Sequence, residues 1–343
     1  MTEIQNIHTR ISLPSKGRLA EETLALLAAC GLTVYKPNPR QYEALIPSLP
    51  GLKVLFQRPA DIVMSVRDGS VDFGITGLDV VAERRGLNRD ILVLHEALGF
   101  GGCWVGLAAP ESLGCKDLAD LKHFSEGLQR PLRVATKYPN LAGAFLVERQ
   151  IRASLIPAEG TLETAPAIGY ADIIADVVSS GQTLRDNRLQ LIENGVILQS
   201  EAVLIANQER LQSRAEALEM ARVLLEYLEA HLRARDALAI FANMRAASAE
   251  EAASRIFANC NIHGLQGPTV SRVITREEDQ DWYAANLIVP RKRLFQTIQE
   301  VRAAGGSGVV AVPVAYIFEE EPPRYRRMLE ALEKETARNP LLE

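Results

Sequence analysis

The sequence predicts an α/β protein followed by a smaller α+β unit. Three observations carry this reading. Four times, a short apolar run gives way to a polar or glycine-bearing turn and then to a helical pattern. A long Ala-, Leu-, Glu- and Arg-rich helical pattern then spans about 209–238. Beyond it the rhythm changes to short apolar runs alternating with two helical patterns.

The first crossing is a strand at 10–13, the turn Pro14-Ser15-Lys16-Gly17-Arg18, and a helix over 19–30 closed by Gly31. Glu21 and Glu22 suit the positive end of that helix. Lys16 and Arg18 do not, by roughly 0.3–1 kcal/mol each, unless an anion binds there. The second crossing is a strand at 71–75, the turn Thr76-Gly77-Leu78-Asp79 and a helix to about 85. Arg58-Pro59-Ala60-Asp61 and an amphipathic turn ending at Asp68-Gly69 precede it. The third is 132–135, then Thr136-Lys137-Tyr138-Pro139-Asn140, then a helix to about 149, with Pro139 and Asn140 suited to its first turn.

The fourth, ADIIADVVSSGQTLRDN at 171–187, is the most informative. An apolar strand carrying Asp172 and Asp176 ends at Ser179-Ser180-Gly181-Gln182-Thr183, and a helical pattern (Leu184, Arg185, Leu189, Ile192) begins. Small residues and free backbone N–H groups at a helix N-terminus form a phosphate site. Asp176 just upstream is placed to accept hydrogen bonds from sugar hydroxyls. An acid followed by a phosphate loop suits a ribose 5-phosphate. Ligands of open α/β sheets bind beyond the carboxyl ends of strands, and here those ends carry Lys16, Arg18, Thr76, Asp79, Thr136, Lys137 and the 179–183 turn. The expectation is a cleft lined from both halves of an α/β unit.

The passage LGFGGC (98–103) reads as a hinge, a close approach to ligand or a plain crossover, and SEAVLIAN (200–207) as a strand returning to the first lobe. The C-terminal part has a helix at 249–257, strands at 268–275, 282–289 and 307–314, and a helix at 291–303. That is a ferredoxin-like pattern with no catalytic constellation, suited to regulation or assembly. Beyond Phe318 an acidic, Pro-containing stretch and a charged helical tail are expected to be solvated.

Composition narrows the function classes. A net charge of −5 gives no support for a broad nucleic-acid surface. No apolar run approaches the roughly 20 residues of a membrane span, and the first twenty residues hold no signal-type apolar core. Cys30, Cys103, Cys115 and Cys260 are scattered, and the five histidines lack metal-ligand spacing. Reduced thiols in a cytoplasmic protein, with no histidine-bound structural metal, are the expectation.

The motifs PSKGRL (14–19), RPADI (58–62), VDFGITGLD (71–79), FGGC (100–103), ATKYPN (135–140) and GTLETAPAIGYADIIADVVSSGQTL (160–184) stand in order, with the SEAVLI and GPTVS segments after them. In these the chain resembles the ATP phosphoribosyltransferase family of histidine biosynthesis, in its long form with a regulatory domain, over about 11–317. Ser180 stands where that family more often has Thr, and Val63 where it often has Pro. The 210–247 segment is longer than usual, and 319–343 extend the end. The resemblance implies a two-lobed periplasmic-binding-protein-like catalytic part plus a C-terminal ferredoxin-like α+β regulatory domain. On it, 1–102 with 199–240 form lobe I and connector, 103–198 lobe II, 241–320 the regulatory domain, and 321–343 a charged tail.

It also implies transfer of phosphoribosyl from phosphoribosyl pyrophosphate to N1 of the adenine of ATP. Mg²⁺ accompanies the pyrophosphate rather than a protein-only metal site. Histidine is the inhibitor, and dimers assembling to hexamers are the pattern. Ser179, Ser180, Gly181, Gln182 and Thr183 would hold the 5-phosphate. Asp176 would hold the ribose hydroxyls and stabilise the oxocarbenium-like carbon. Asp172 would assist, although strand alternation equally points it elsewhere. Lys16, Arg18, Arg58 and Lys137 are candidates for pyrophosphate and ATP phosphates. Gly17, Thr76, Gly77, Asp79 and Tyr138 are candidates for the nucleotide, Asp79 reading equally as a helix cap. Glu163 is a candidate for ordering water or the adenine amino group, and Asp176, Glu163 and Lys16 for catalysis. Thr269, Ser271 and the 305–308 turn with Gly306 are candidates for histidine at a subunit interface, and removing the chain beyond about Asn243 is expected to relieve inhibition. Two rivals stay open: a non-catalytic two-lobed anion sensor, and a phosphoribosyltransferase with another acceptor base.

Overall fold

A computed structural model of the chain describes residues 9–38, 41–86, 90–158, 160–179, 181–261, 267–275 and 281–338. The chain divides into two compact units, 1–225 with 323–343, and 226–322. The first unit contains two lobes, each built on its own sheet.

Lobe I begins with β1 (Thr9–Pro14), α1 (Arg18–Ala29), β2 (Glu43–Leu45), β3 (Leu52–Gln57), α2 (Pro59–Arg67), β4 (Phe73–Gly77), α3 (Leu78–Arg84) and β5 (Ile91–His95). The expected amphipathic turn before Asp68 is thus a full helix, started by Pro59 and burying Ile62, Val63 and Val66. Lobe II follows with β6 (Cys103–Pro110), α4 (Leu118–Gly127), β7 (Leu132–Thr136), α5 (Pro139–Glu148), β8 (Ala153–Pro157), β9 (Ile173–Val178), α6 (Gln182–Asp186) and β10 (Leu189–Ser200). Then β11 (Ala202–Asn207) returns to lobe I, completing a sheet ordered β2-β3-β1-β4-β11-β5, while lobe II is ordered β10-β6-β9-β7-β8. β11 lies antiparallel between β4 and β5, and all six of its residues are buried, as an uninterrupted apolar run requires of a strand covered on both faces. The glycine-rich passage is the outgoing crossover. Leu98 N–H donates to Ala202 O, and Ala202 N–H donates to Phe100 O, so it runs beside the returning chain. Gly101 has φ +68, and a Cβ there would press on Leu19.

The helix expected from Leu184 to Ile192 is shorter. α6 stops at Asp186, Arg188 takes φ 55, and Leu189 and Ile192 are buried in β10. The long helical pattern after Asn207 is also broken. It forms α7 (Gln208–Ser213) and α8 (Ala215–Ala234), and the chain from Ala237 is a strand.

The second unit holds β12 (Ala237–Arg245), α9 (Ala249–Asn259), β13 (Thr269–Arg272), β14 (Trp282–Pro290), α10 (Leu294–Ala303) and β15 (Gly306–Pro313). Its antiparallel sheet is ordered β13-β14-β12-β15, the ferredoxin-like arrangement. β12 alternates strictly, Leu238, Ile240, Ala242 and Met244 inward and Phe241, Asn243 and Arg245 outward. The charged C-terminal stretch is not a solvated tail. Pro323–Arg338 is a helix, α11, that packs on the edge strand β5 of lobe I, burying Met328 and Leu332. Among the described residues, no helix is long and apolar enough to cross a membrane.

Candidate active site

Asp176 stands near the end of β9, paired with Gly106 of β6. Its side chain is buried. One carboxylate oxygen accepts its neighbour Val177 N–H at 2.8 Å, and the other lies 3.7 Å from Lys137 Nζ. Burial raises its pKa, Lys137 opposes that rise, and nearby Glu163 adds to it. Beyond Asp176 the chain turns through Ser179 and Gly181, which caps α6 with φ +70. Ser180 lies outside the described residues. Glu163, Asp176, Val177, Ser179, Gly181 and Thr183 line a hollow of about 70 Å³. With only five residues α6 carries a weak dipole, so local N–H groups and hydroxyls make this turn anion-friendly rather than a long helix. Arg185, which the sequence reading did not single out, arches back to donate to Gln182 Oε1 at 3.0 Å, bringing a guanidinium beside Gly181.

Lys137 also faces a second space, a cavity of about 700 Å³ between the lobes. Lobe I contributes Arg58, Arg67, Glu83 and Arg84, and lobe II contributes Thr136, Lys137, Tyr138 and Asn140. Four cations around one cavity make a site for a polyanion. Arg67 and Arg84 were not recognisable from the sequence, because each closes an ordinary amphipathic helix as a last-turn cation. Their joint placement is tertiary, with Arg67 Nη1 donating to Arg84 O at 3.1 Å. Arg58 stands at the N-cap of α2.

The other candidates are distributed less uniformly. Lys16, Gly17 and Arg18 are exposed at the start of α1, with Gly17 at φ +78 and Arg18 Nε 3.7 Å from Glu22 Oε2. They line neither space. Thr76, Gly77 and Asp79 are buried. The Asp79 carboxylate accepts the hydroxyls of Ser200 and Tyr138, each at 2.7 Å, and a Cβ on Gly77 would collide with it. Asp79 thus belongs to the joint between the lobes, while the Thr76 hydroxyl donates to Pro59 O within lobe I. Tyr138 is held there by burial and by Asp79, both of which push its pKa up.

Asp172 is not brought to Asp176. It sits just before β9, where Arg130 grips both its oxygens, Arg133 Nη2 bonds it at 2.9 Å and the Arg133 N–H at 2.8 Å. Burial works to raise its pKa, but these donors outweigh it and hold the carboxyl far below its usual range. In the second unit, Thr269 and Ser271 lie on edge strand β13 and Gly306 on the opposite edge strand β15, about 14 Å apart across three strand spacings. They do not form one site within a single chain. Gly306 has a structural reason to be glycine, since a Cβ would meet Val301.

Comparison with known proteins matches residues 58–229 to the family model described as ATP phosphoribosyltransferase, and 234–316 to the model of the HisG C-terminal domain. The chain is 46% identical over 333 residues to ATP phosphoribosyltransferase 2, chloroplastic, of Arabidopsis thaliana, covering 94% of this chain and 80% of that protein. It is 32% identical over 307 residues to the ATP phosphoribosyltransferase of Methanocaldococcus jannaschii, covering 90% of this chain and 99% of that one. A solved structure titled as the ATP phosphoribosyl transferase (HisG:HisZ) complex from Thermotoga maritima shares the fold. The TM-score is 0.50 and the identity 22%, over 64% of this chain and 96% of that one.

Proposed function

The chain belongs to the ATP phosphoribosyltransferase family, and we propose that its reaction centre is the Asp176 hollow together with the cation-lined cavity that Lys137 joins to it. The enzyme transfers the phosphoribosyl group of phosphoribosyl pyrophosphate to N1 of the adenine of ATP, the first step of histidine biosynthesis. The bond from ribose C1 to pyrophosphate breaks, the bond to N1 forms, and the adenine lone pair is the nucleophile.

In this reading the 5-phosphate sits on Ser179, Ser180, Gly181, Gln182 and Thr183, with Arg185 as an added cation. Asp176 holds the ribose hydroxyls and stabilises the positive charge that grows on C1 as pyrophosphate departs. Arg58, Arg67, Arg84 and Lys137 receive pyrophosphate and ATP phosphates. Charge-assisted contacts of this kind contribute roughly 1.5–3 kcal/mol each, and several together offset the desolvation of two polyanions. Lys16 and Arg18, exposed on α1, serve the incoming nucleotide, and Glu163 orients water or the adenine amino group. No general base is required, so barrier lowering rests on alignment and charge. Among the described residues no group of three or more His, Cys, Asp or Glu side chains converges on a metal position. Mg²⁺ accompanying the pyrophosphate would be held mainly through phosphate oxygens and would supply positive charge to the leaving group.

The observation that carries the reading is the 3.7 Å approach of Lys137, which lines the polyanion cavity, to Asp176, which lines the sugar hollow. Asp176→Asn is expected to lower turnover by about 10²-fold, following the loss seen when a transition-state electrostatic partner is removed. A rate near that of the unaltered enzyme, measured as pyrophosphate released from ATP and phosphoribosyl pyrophosphate, would remove Asp176 from the mechanism.

The second unit is read as the histidine-responsive module. Because Thr269 and Ser271 lie far from Gly306 in one chain, a histidine site using both edges would draw on two copies. Phe241, Val310 and Val312, exposed on the second unit's sheet at 43%, 54% and 44%, support assembly of copies, from dimer to hexamer, which light scattering reads directly. The four free thiols suit a reducing, cytoplasmic compartment. The Arabidopsis relatives are titled chloroplastic, and fractionation of a native source decides the location.

A further inference from the structure

Two acidic residues of lobe I, neither of them facing the ribose hollow, are spent on lobe II. Asp79 and Glu83 stand at i and i+4 on α3, hence on one face of it. Both are buried. Asp79 accepts the Tyr138 hydroxyl at 2.7 Å and is braced from behind by Ser200, whose Oγ donates to it at 2.7 Å and accepts the Asp79 N–H at 2.9 Å. Glu83 accepts the N–H groups of Asn140 and Leu141 at 3.0 and 2.9 Å, one on each carboxylate oxygen, while Asn140 Nδ2 donates to the Glu83 carbonyl at 3.0 Å.

Asn140 and Leu141 are first-turn residues of α5, and Tyr138 at its N-cap makes no side-chain capping bond. The orphan N–H groups of that helix are thus satisfied by a carboxylate from the other lobe, where the helix dipole also favours a negative charge. With Glu83 in place, the start of α5 is closed to a phosphate. The residue immediately before Tyr138 is Lys137, whose ammonium approaches Asp176. Glu83, Tyr138 and Asn140 also line the cavity that holds Arg58, Arg67 and Arg84.

We infer that Asp79 and Glu83 are positioning residues. They lock the Thr136–Leu141 turn to lobe I, and so set both the place of Lys137 beside Asp176 and the gap between the lobe I arginines and Lys137. This rests on the reaction centre given above and adds to it the parts that hold its two halves in register.

The groups facing Asp176 are Lys137, Glu163 and Tyr138. A Lys137 that drifts away leaves Asp176 harder to ionise, so the acidic limb of the kcat/KM profile moves to higher pH. A purely structural role does not produce that movement. The test uses the full chain carrying Tyr138→Phe, Glu83→Gln or Ser200→Ala, with thermal melts to establish folding. Ser200→Ala is the mildest of the three, since it removes only the brace behind Asp79. The expected result is a folded enzyme whose kcat falls by up to roughly 10²-fold, the scale of a small misplacement at the reacting atoms, with its acidic limb displaced upward and KM for ATP changed less than kcat. Lys137→Met should reproduce the limb displacement. Folded variants with unchanged kcat and an unchanged acidic limb overturn the inference while Asp176→Asn still lowers turnover by about 10²-fold. An active Asp176→Asn enzyme would instead overturn the reaction centre.

Discussion

Asp172 and Asp176 lie four residues apart in one apolar run, and their surroundings differ in what is left for a ligand. Asp172 is saturated by Arg130 and Arg133, whereas Asp176 has one oxygen engaged by its own neighbour and the other at 3.7 Å from a single lysine. Asp172→Asn is therefore expected to reduce stability by about 2 kcal/mol, the scale for removing one partner of a charged hydrogen-bonded group, with kcat little changed. Asp176→Asn should show the opposite pattern. Comparing melting temperature with kcat for the two variants checks this, and a large kcat loss in Asp172→Asn with no change in melting would contradict it. The sequence marked both aspartates as candidates because chain spacing does not say which end of a strand meets the cleft. Arg130, 42 residues upstream, decides the matter and is invisible to a local pattern. The same holds for Asp79, whose partner Ser200 is 121 residues away.

Elements read well where a single period ran without competition. The four strand-to-helix crossings were evident because each switches period at a Gly, Pro or Asn. β12 is less evident, because the helical pattern reads on to about Leu238 and no Gly or Pro marks the change to the alternation of Leu238, Ile240, Ala242 and Met244. The helix of the charged tail is legible, but its burial is not, for the converse reason. Its composition is charged, but Met328 and Leu332 recur at helical spacing and find cover on lobe I. Arg324 and Arg327 pair there with Glu96, next to buried His95.

This contact has a pH dependence of definite sign. Burial and Arg324 lower the His95 pKa from 6.5 to about 4. For Glu96 burial acts upward, but the hydrogen bond and charge of Arg324, with Arg327, bring it from 4.5 down to about 2. Both groups bind protons more readily unfolded, so their contribution is complete above the unfolded values and is lost as pH falls toward the folded ones. Amide exchange in α11 and β5, corrected for intrinsic rates, should accelerate as pH falls from 7 toward 4. Protection independent of pH over that range would contradict the assignment.

For the whole molecule, the path of the chain matters as much as its two units. It leaves the first unit along α8, builds the ferredoxin-like unit, and returns to finish as α11 on lobe I. Removing everything beyond about Asn243, the simple way to isolate a regulatory domain, would cut β12 near its end and strip lobe I of α11, so lost inhibition in that fragment would not identify a histidine site. Full-length Thr269→Ala and Ser271→Ala are the better probes, and histidine inhibition of undiminished potency in both would move the inhibitor away from β13.

Fold class, lobe order and the acid-plus-turn motif could all be read along the chain, because each depends on local period and turn chemistry. The parts played by Arg67 and Arg84 and the joint between α3 and α5 could not, because they exist only once two sheets are brought face to face. The most direct measurement is a crystal of the full chain soaked with ribose 5-phosphate. The phosphate should lie against Ser179, Gly181 and Thr183 with the ribose hydroxyls on Asp176. Density for the sugar elsewhere, with Asp176 touching only Lys137 and Val177, would contradict it.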